Sequence, residues 1–147
     1  MTVQRLEHVG IVVDDLPAAT AFFIALGLRQ EGEMSVEGEP VDRINGLDGV
    51  RADIVMLRTP DGGSKLELAR YRSPAYESDG EDGPSPANAP GIRHILFVVD
   101  DINAALADLR AHDGELVGEL VNYENSYKLC YVRGPAGIIV ELAEKIG

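Results

Sequence analysis

A chain of 147 residues, 45% hydrophobic and 26% charged, can bury a core of its own, which excludes a disordered, collagen-like or coiled-coil molecule. Twenty-five acidic residues against 13 basic ones give a formal net charge of −12, leaving no basic footprint for nucleic acid or an anionic membrane surface. A lone Cys130, no apolar run near the ~20 residues of a membrane span, and an N-terminus (MTVQRLEHVG) lacking a basic region before an apolar stretch point to a cytoplasmic protein without a signal peptide.

The alternating and β-branched residues of 3–13 predict a strand. Asp14 or Asp15 can cap the helix that follows, and Pro17 suits its first turn. Ala18, Ala19, Phe22, Phe23 and Leu26 recur at helical spacing, and Gly27 ends the helix. A weaker strand is expected over 28–36. The acids clustered at 31–42 and 77–82 read as solvated loops. Strands at 52–58 and 64–70 form a hairpin across Pro60, Asp61, Gly62 and Gly63. The segment 73–90 is rich in Pro, Ser, Gly, Asp and Glu, as a linker or a loop over a cleft would be. Beyond it come a strand at 92–99 and a helix from Asp101 through Ala111, with Ile102, Ala105, Leu106 and Leu109 inward and Gly114 closing it. Strands at 115–123, 127–133 and 138–143 complete the chain, with turns at 124–126 and 134–137.

The chain repeats itself. HVGIVVDDLPAA at 8–19 and HILFVVDDINAA at 94–105 share the His, two Val, both Asp and both Ala at an offset of 86. RTPDGGSKLEL at 58–68 and RGPAGIIVEL at 133–142 match in Pro and Gly at 75 and in Glu-Leu at 74. Two ordered echoes imply two copies of one supersecondary unit that pair into a single body.

Each copy carries a His on its first strand and a Glu on its last: His8 and Glu67, then His94 and Glu141. Period-two geometry puts Lys65, Glu67 and Ala69 on one face, opposite Leu66 and Leu68. Ile139, Glu141 and Ala143 likewise oppose Ile138, Val140 and Leu142. A carboxylate within such an apolar strand is costly when buried unpaired, and a metal satisfies it. Two imidazoles with two carboxylates suit a divalent first-row metal with open positions for water or substrate.

Taken together, the 8–16 segment, Phe22-Phe23 to Leu26-Gly27, Lys65-Leu66-Glu67-Leu68, Gly91-Ile92-Arg93-His94-Ile95, and Gly134-Pro135-Ala136-Gly137 to Val140-Glu141-Leu142 resemble the vicinal oxygen chelate (glyoxalase/bleomycin resistance/dioxygenase) superfamily. Nearly the whole chain is covered, as a glyoxalase I-like or methylmalonyl-coenzyme A epimerase-like member. The resemblance implies an α+β fold in which two βαβββ modules form an open U-shaped barrel around a metal site. It frames residues 1–147 as a single domain, with one module at about 1–72, a linker at about 73–90 and the second module at about 91–147.

The order His8, Glu67, His94, Glu141 is that of glyoxalase I-like ligand sets, with Ni, Zn, Co, Mn or Fe as the ion. Epimerases commonly have Gln at the Glu67 place, and bleomycin-binding relatives generally lack the set. The resemblance therefore implies a metal-dependent lyase or isomerase that stabilises an enediolate of a small 2-oxo compound or its thiol adduct. Glu141 matches the ligand that is also the base in glyoxalase I, and Glu67 is the second choice. The alternatives are an acyl-coenzyme A epimerase, favoured by the stretch from Lys65 to Arg70 and by Gly91 to Ile95, and a non-catalytic ligand-sequestering resistance protein.

A small-molecule substrate is the expected partner, and a homodimer the expected assembly. Arg5, Arg43, Arg70, Arg72 and Arg93 are the basic groups available to anionic parts of a substrate. Cys130 reads as a packed thiol and His112 as a solvated residue at a helix end. Gly10 lacks the Gly-rich pattern of a dinucleotide site, and Tyr71, Tyr76, Tyr123, Tyr127 and Tyr131 are packing residues or cleft walls.

Overall fold

Both copies of the repeat fold as a helix laid on one face of a mixed sheet, which makes the molecule α+β with two βαβββ modules, each built on an open sheet. The computed structural model describes residues 2–77 and 83–147 and divides the chain into two units, Met1–Asp79 and Gly80–Gly147. Residues 78–82, within the acid-rich run and the expected linker, lie outside the described residues. No described helix is long and apolar enough to cross a membrane.

The first unit comprises β1 (Val9–Val12), α1 (Leu16–Leu26), β2 (Arg29–Glu37), α2 (Glu39–Asn45), β3 (Arg51–Arg58) and β4 (Lys65–Ser73). The sheet order is β1-β4-β3-β2, with β1 parallel to β4 and the other pairs antiparallel. Asp15 caps α1 by accepting the Ala18 N–H at 3.0 Å. Gly27 ends it at φ 119°, a conformation that a side chain would strain. Alternation then fixes the core. Leu66 and Leu68 face Leu57 and Val55 across the β4–β3 pairing, and Ile11 stands opposite Leu68. All five are buried, as are Ala19, Phe22 and Phe23 of the helix.

The second unit comprises β5 (His94–Val98), α3 (Ile102–Arg110), β6 (Glu115–Leu116), β7 (Val121–Tyr123), β8 (Tyr127–Arg133), a short 3-10 turn (Pro135–Gly137) and β9 (Ile139–Lys145). Its order is β5-β9-β8-β6, with β7 also on β8 and β5 parallel to β9. Asp101 caps α3 through Ala104 N–H at 3.0 Å, and Glu144 accepts the Ile102 N–H at 2.8 Å. Ile102, Leu106 and Leu109 are buried together with Cys130, Val132, Val140 and Leu142.

Four expectations need correction. The strand read at 3–13 is only Val9–Val12, because β1 is parallel to β4 and Val9 already stands opposite Leu66, next to the first residue of β4. Residues before His8 would face the 59–64 turn, which has no ladder to offer. The strand at 92–99 shortens to His94–Val98 for the same reason, since His94 stands opposite Ile139 beside the 3-10 turn. The acid-rich 31–42 segment is not loop. It is most of the exposed strand β2 and the start of α2, a helix held by Asp42, whose carboxylate accepts the N–H groups of Gly49 and Val50 at 3.0 and 2.8 Å. The 115–123 strand breaks in two because Leu116 pairs Val132 whereas Val121 pairs Leu129, so one strand advances five residues while its partner advances three.

Candidate functional site

The face of each sheet opposite its helix carries the candidate residues. In the first unit Gly10 stands opposite Glu67 across the parallel β1–β4 pairing. His8, two residues before Gly10, sits so that its Nε2 lies 3.3 Å from Glu67 Oε2. In the second unit Leu96 stands opposite Glu141, and His94, again two residues earlier, has its Nε2 3.3 Å from Glu141 Oε1. The duplicated register thus reproduces one His–carboxylate contact twice, atom for atom at the ring.

The pairs are not equally open to water. The histidine side chains are 37% and 39% exposed and Glu67 29%, but Glu141 only 14%, so charge at Glu141 is the least screened by solvent. Their surroundings also differ. His8 Nδ1 contacts the Glu7 carboxylate. Lys65 Nζ donates to the other Glu7 oxygen at 3.1 Å and lies 3.8 Å from Glu31. Arg58 clasps Glu31 through Nε and Nη2 at 3.1 and 2.7 Å, and its Nη1 donates to the Gly62 carbonyl at 2.7 Å. The hydrogen bonds from His8 and then Lys65 hold the Glu7 carboxyl below the usual carboxylate range, and that from Arg58 does the same for Glu31. His94 instead packs on Tyr131, ring centroids 5.0 Å apart and tilted by 32°.

The donor chemistry fits a divalent ion. Two ligand atoms each ~2.1 Å from one ion, at angles of about 90–110°, stand about 3.0–3.4 Å apart. The observed 3.3 Å falls in that window in both units. Among the described residues, no group of three or more His, Cys, Asp and Glu is gathered at metal-holding distances.

The other candidates have different placements. Tyr71 donates to Asn45 Oδ1 at 2.6 Å, tying β4 to the end of α2. Arg72 pairs with Asp53 at 3.2 Å. Arg70 lines an open cleft of about 830 Å³ with Asp14, Asp15, Glu33, Asp53 and Ser35, and it alternates with Glu67 onto the other face of β4. Arg93 Nε is buried with no hydrogen-bond partner among the described residues. Cys130 is buried on the helix side opposite Leu142, and burial pushes its thiol up. His112 is exposed in the turn after α3. Beside Gly10, the space a Cβ would occupy is open, with no atom within 4 Å.

Glu7 emerges only from the structure, which also gives Lys65 and Tyr131 their particular contacts beside the two histidines. Tyr131 stands opposite Glu141 on β8, a pairing that follows from strand register once the β8–β9 hairpin is set.

Residues 7–131 match the Glyoxalase/Bleomycin resistance protein/Dioxygenase superfamily. The chain belongs to that superfamily. A glyoxalase family protein from Bacillus cereus is similar at 44% identity and a TM-score of 0.93, over 100% of this chain and 97% of its own. YaeR of Escherichia coli (strain K12), itself uncharacterized, is 26% identical over 143 residues, 97% of both chains. The trypanothione-dependent glyoxalase I of Leishmania major shares the fold, with a TM-score of 0.63 and 24% identity over 97% of this chain and 87% of its own.

Proposed function

We propose that this superfamily member is a metal-dependent lyase or isomerase resembling glyoxalase I, with His8, Glu67, His94 and Glu141 as ligands of a divalent ion and a small 2-oxo compound or its thiol adduct as substrate. The observation that carries the reading is the duplicated pair: the same ring nitrogen and a carboxylate oxygen 3.3 Å apart, at repeat-equivalent positions, on the helix-free face of each sheet. A solvated surface His or Glu has no need of that register. The likeness to the Bacillus cereus glyoxalase family protein supports a place among the glyoxalase-like members of the superfamily.

A divalent ion bound by these residues supplies Lewis acidity for the negative charge that develops on a substrate's neighbouring oxygens. His8 and His94 offer Nε2 lone pairs. Glu141 takes the proton from the carbon beside the carbonyl and returns it to the neighbouring carbon, with Glu67 as the second candidate. A homodimer is part of the same proposal. β1 and β5 are edge strands of their sheets, and Val12 and Val98, at equivalent places on them, are exposed. A monomeric mass by light scattering at micromolar protein would overturn it.

The test is elemental analysis of protein purified without chelator, followed by a metal-replete screen with hemithioacetals, acyl-coenzyme A esters and catechols. Stoichiometric divalent metal and hemithioacetal turnover, lost on chelation and restored by Ni, Co, Mn, Zn or Fe, is the expected result. Absence of metal together with no activation by any of the five would overturn the reading. Epimerisation of the acyl-coenzyme A ester alone would replace it with the epimerase.

A further inference from the structure

We propose that Glu7 is the positioning residue of the first half-site: its carboxylate holds the Nδ1–H of His8 and so turns the Nε2 lone pair towards Glu67. A neutral imidazole carries one N–H and one lone pair, and an ionised carboxylate can only accept. The ring nitrogen that meets Glu7 must therefore bear the hydrogen, which leaves Nε2 as the lone-pair atom. At 3.3 Å from Nε2 stands Glu67 Oε2, a second acceptor. Two acceptors at that distance repel unless a proton or a metal cation lies between them. The tautomer that Glu7 imposes thus creates the demand for a positive ion.

Adjacent residues in a strand diverge, so Glu7 and His8 would not meet inside a ladder. They meet here because β1 begins only at Val9. Glu7 is itself secured. Lys65 holds its second oxygen at 3.1 Å, and the Glu31–Arg58 pair sits beside Lys65 and is anchored on the Gly62 carbonyl. The place equivalent to Glu7 in the second copy, at the offset of 86, is Arg93, which has no acceptor to offer. The device belongs to the first half-site alone. Its consequence for metal affinity rests on the function proposed above; its geometry does not.

The experiment has a metal-free arm and a metal arm. In the metal-free protein at about pH 8, above the ordinary His range, nitrogen-15 NMR of labelled histidines is expected to show His8 as the Nδ1–H tautomer. In Glu7→Ala it is expected to move to the Nε2–H form or a mixture. In the metal arm, competition with a chromophoric chelator is expected to give a Kd for Zn raised about 10–100-fold in Glu7→Ala. Lys65→Met should give a smaller rise, and Glu7→Gln, which still accepts from Nδ1–H, should recover part of the loss. The thermal midpoint of Glu7→Ala should fall by no more than a few degrees, the worth of exposed ion pairs, because Glu7 is 42% exposed and outside the ladder.

An unchanged His8 tautomer in Glu7→Ala, a doubly protonated His8 in the wild type, or a wild-type Kd in Glu7→Ala each overturns the inference. If the wild type binds no divalent metal while the tautomer switches as described, the functional reading fails and the role of Glu7 stands.

Discussion

Replacing Glu141 by Gln separates two roles that one carboxylate is proposed to fill. The amide is isosteric, and its oxygen can occupy the place of Oε1, 3.3 Å from His94 Nε2, so the contact that positions the donor survives. What disappears is the capacity to accept a proton from carbon. Glu141 is the least solvated of the four residues, at 14% exposure, so bulk water is badly placed to substitute as base. Loss of a positioned general base costs typically 10²–10⁴-fold. A 10²-fold loss corresponds to about 2.7 kcal/mol of transition-state stabilisation. The assay is kcat on the turned-over hemithioacetal, read beside metal content by elemental analysis, for wild type, Glu141→Gln and His94→Ala. Glu141→Gln should keep most of its metal and lose turnover. His94→Ala should lose activity in step with metal occupancy and recover partly when metal is raised. Wild-type kcat in a fully metallated Glu141→Gln would refute the assignment and move the base to Glu67.

Three further outcomes test the fold around the site. In Gly114→Ala a Cβ would stand 2.8 Å from the Leu109 carbonyl oxygen, a backbone atom that cannot swing away, so urea unfolding should show a loss of about 1–3 kcal/mol. Gly118→Ala, with nothing within 4 Å, should stay within about 0.5 kcal/mol, and equal effects would sink the steric argument. Leu68→Ala removes a fully buried side chain between Ile11 and Val55 and should cost about 2–5 kcal/mol; a near-neutral result would mean the first sheet is not packed as described. Burial raises the Cys130 thiol and shields it, so at pH 8 iodoacetamide should modify it far more slowly in native protein than in urea. The same raised thiol makes its contribution to stability full below the ordinary thiol pKa and declining above it. Native alkylation at the free-thiol rate would contradict the burial.

What could be read from sequence is what depends on alternation and on caps. Leu66-Glu67-Leu68 and Val140-Glu141-Leu142 announce which face is core and which carries chemistry, and Asp15 and Asp101 sit as caps where the two helices begin. What escaped depends on partners. The apolar pattern from 3 to 13 is strand-like throughout, yet a parallel strand ends where its neighbour turns. The helix Glu39–Asn45 has little buried apolar surface, with none of its residues fully buried, and the Asp42 bridge to Gly49 and Val50 has no periodic signature. Glu7 escaped because the rule that neighbours diverge holds only inside a ladder, and the end of the ladder was itself misplaced.

Duplication accounts for the likeness of the two pairs and also for their difference. Register is a backbone property: two parallel pairings, Gly10 with Glu67 and Leu96 with Glu141, suffice to bring a His two residues earlier against a Glu. Everything beyond that contact belongs to side chains the repeat does not share. Glu7 and Lys65 restrain one ring through hydrogen bonds, whereas Tyr131 restrains the other through packing. A hydrogen bond selects a tautomer; a ring packed at a tilt restrains orientation and leaves the tautomer to whatever meets the two nitrogens. On the proposals above, the first histidine is prepared before any ligand arrives, whereas among the described residues the second has, apart from Glu141, only a ring packed against it.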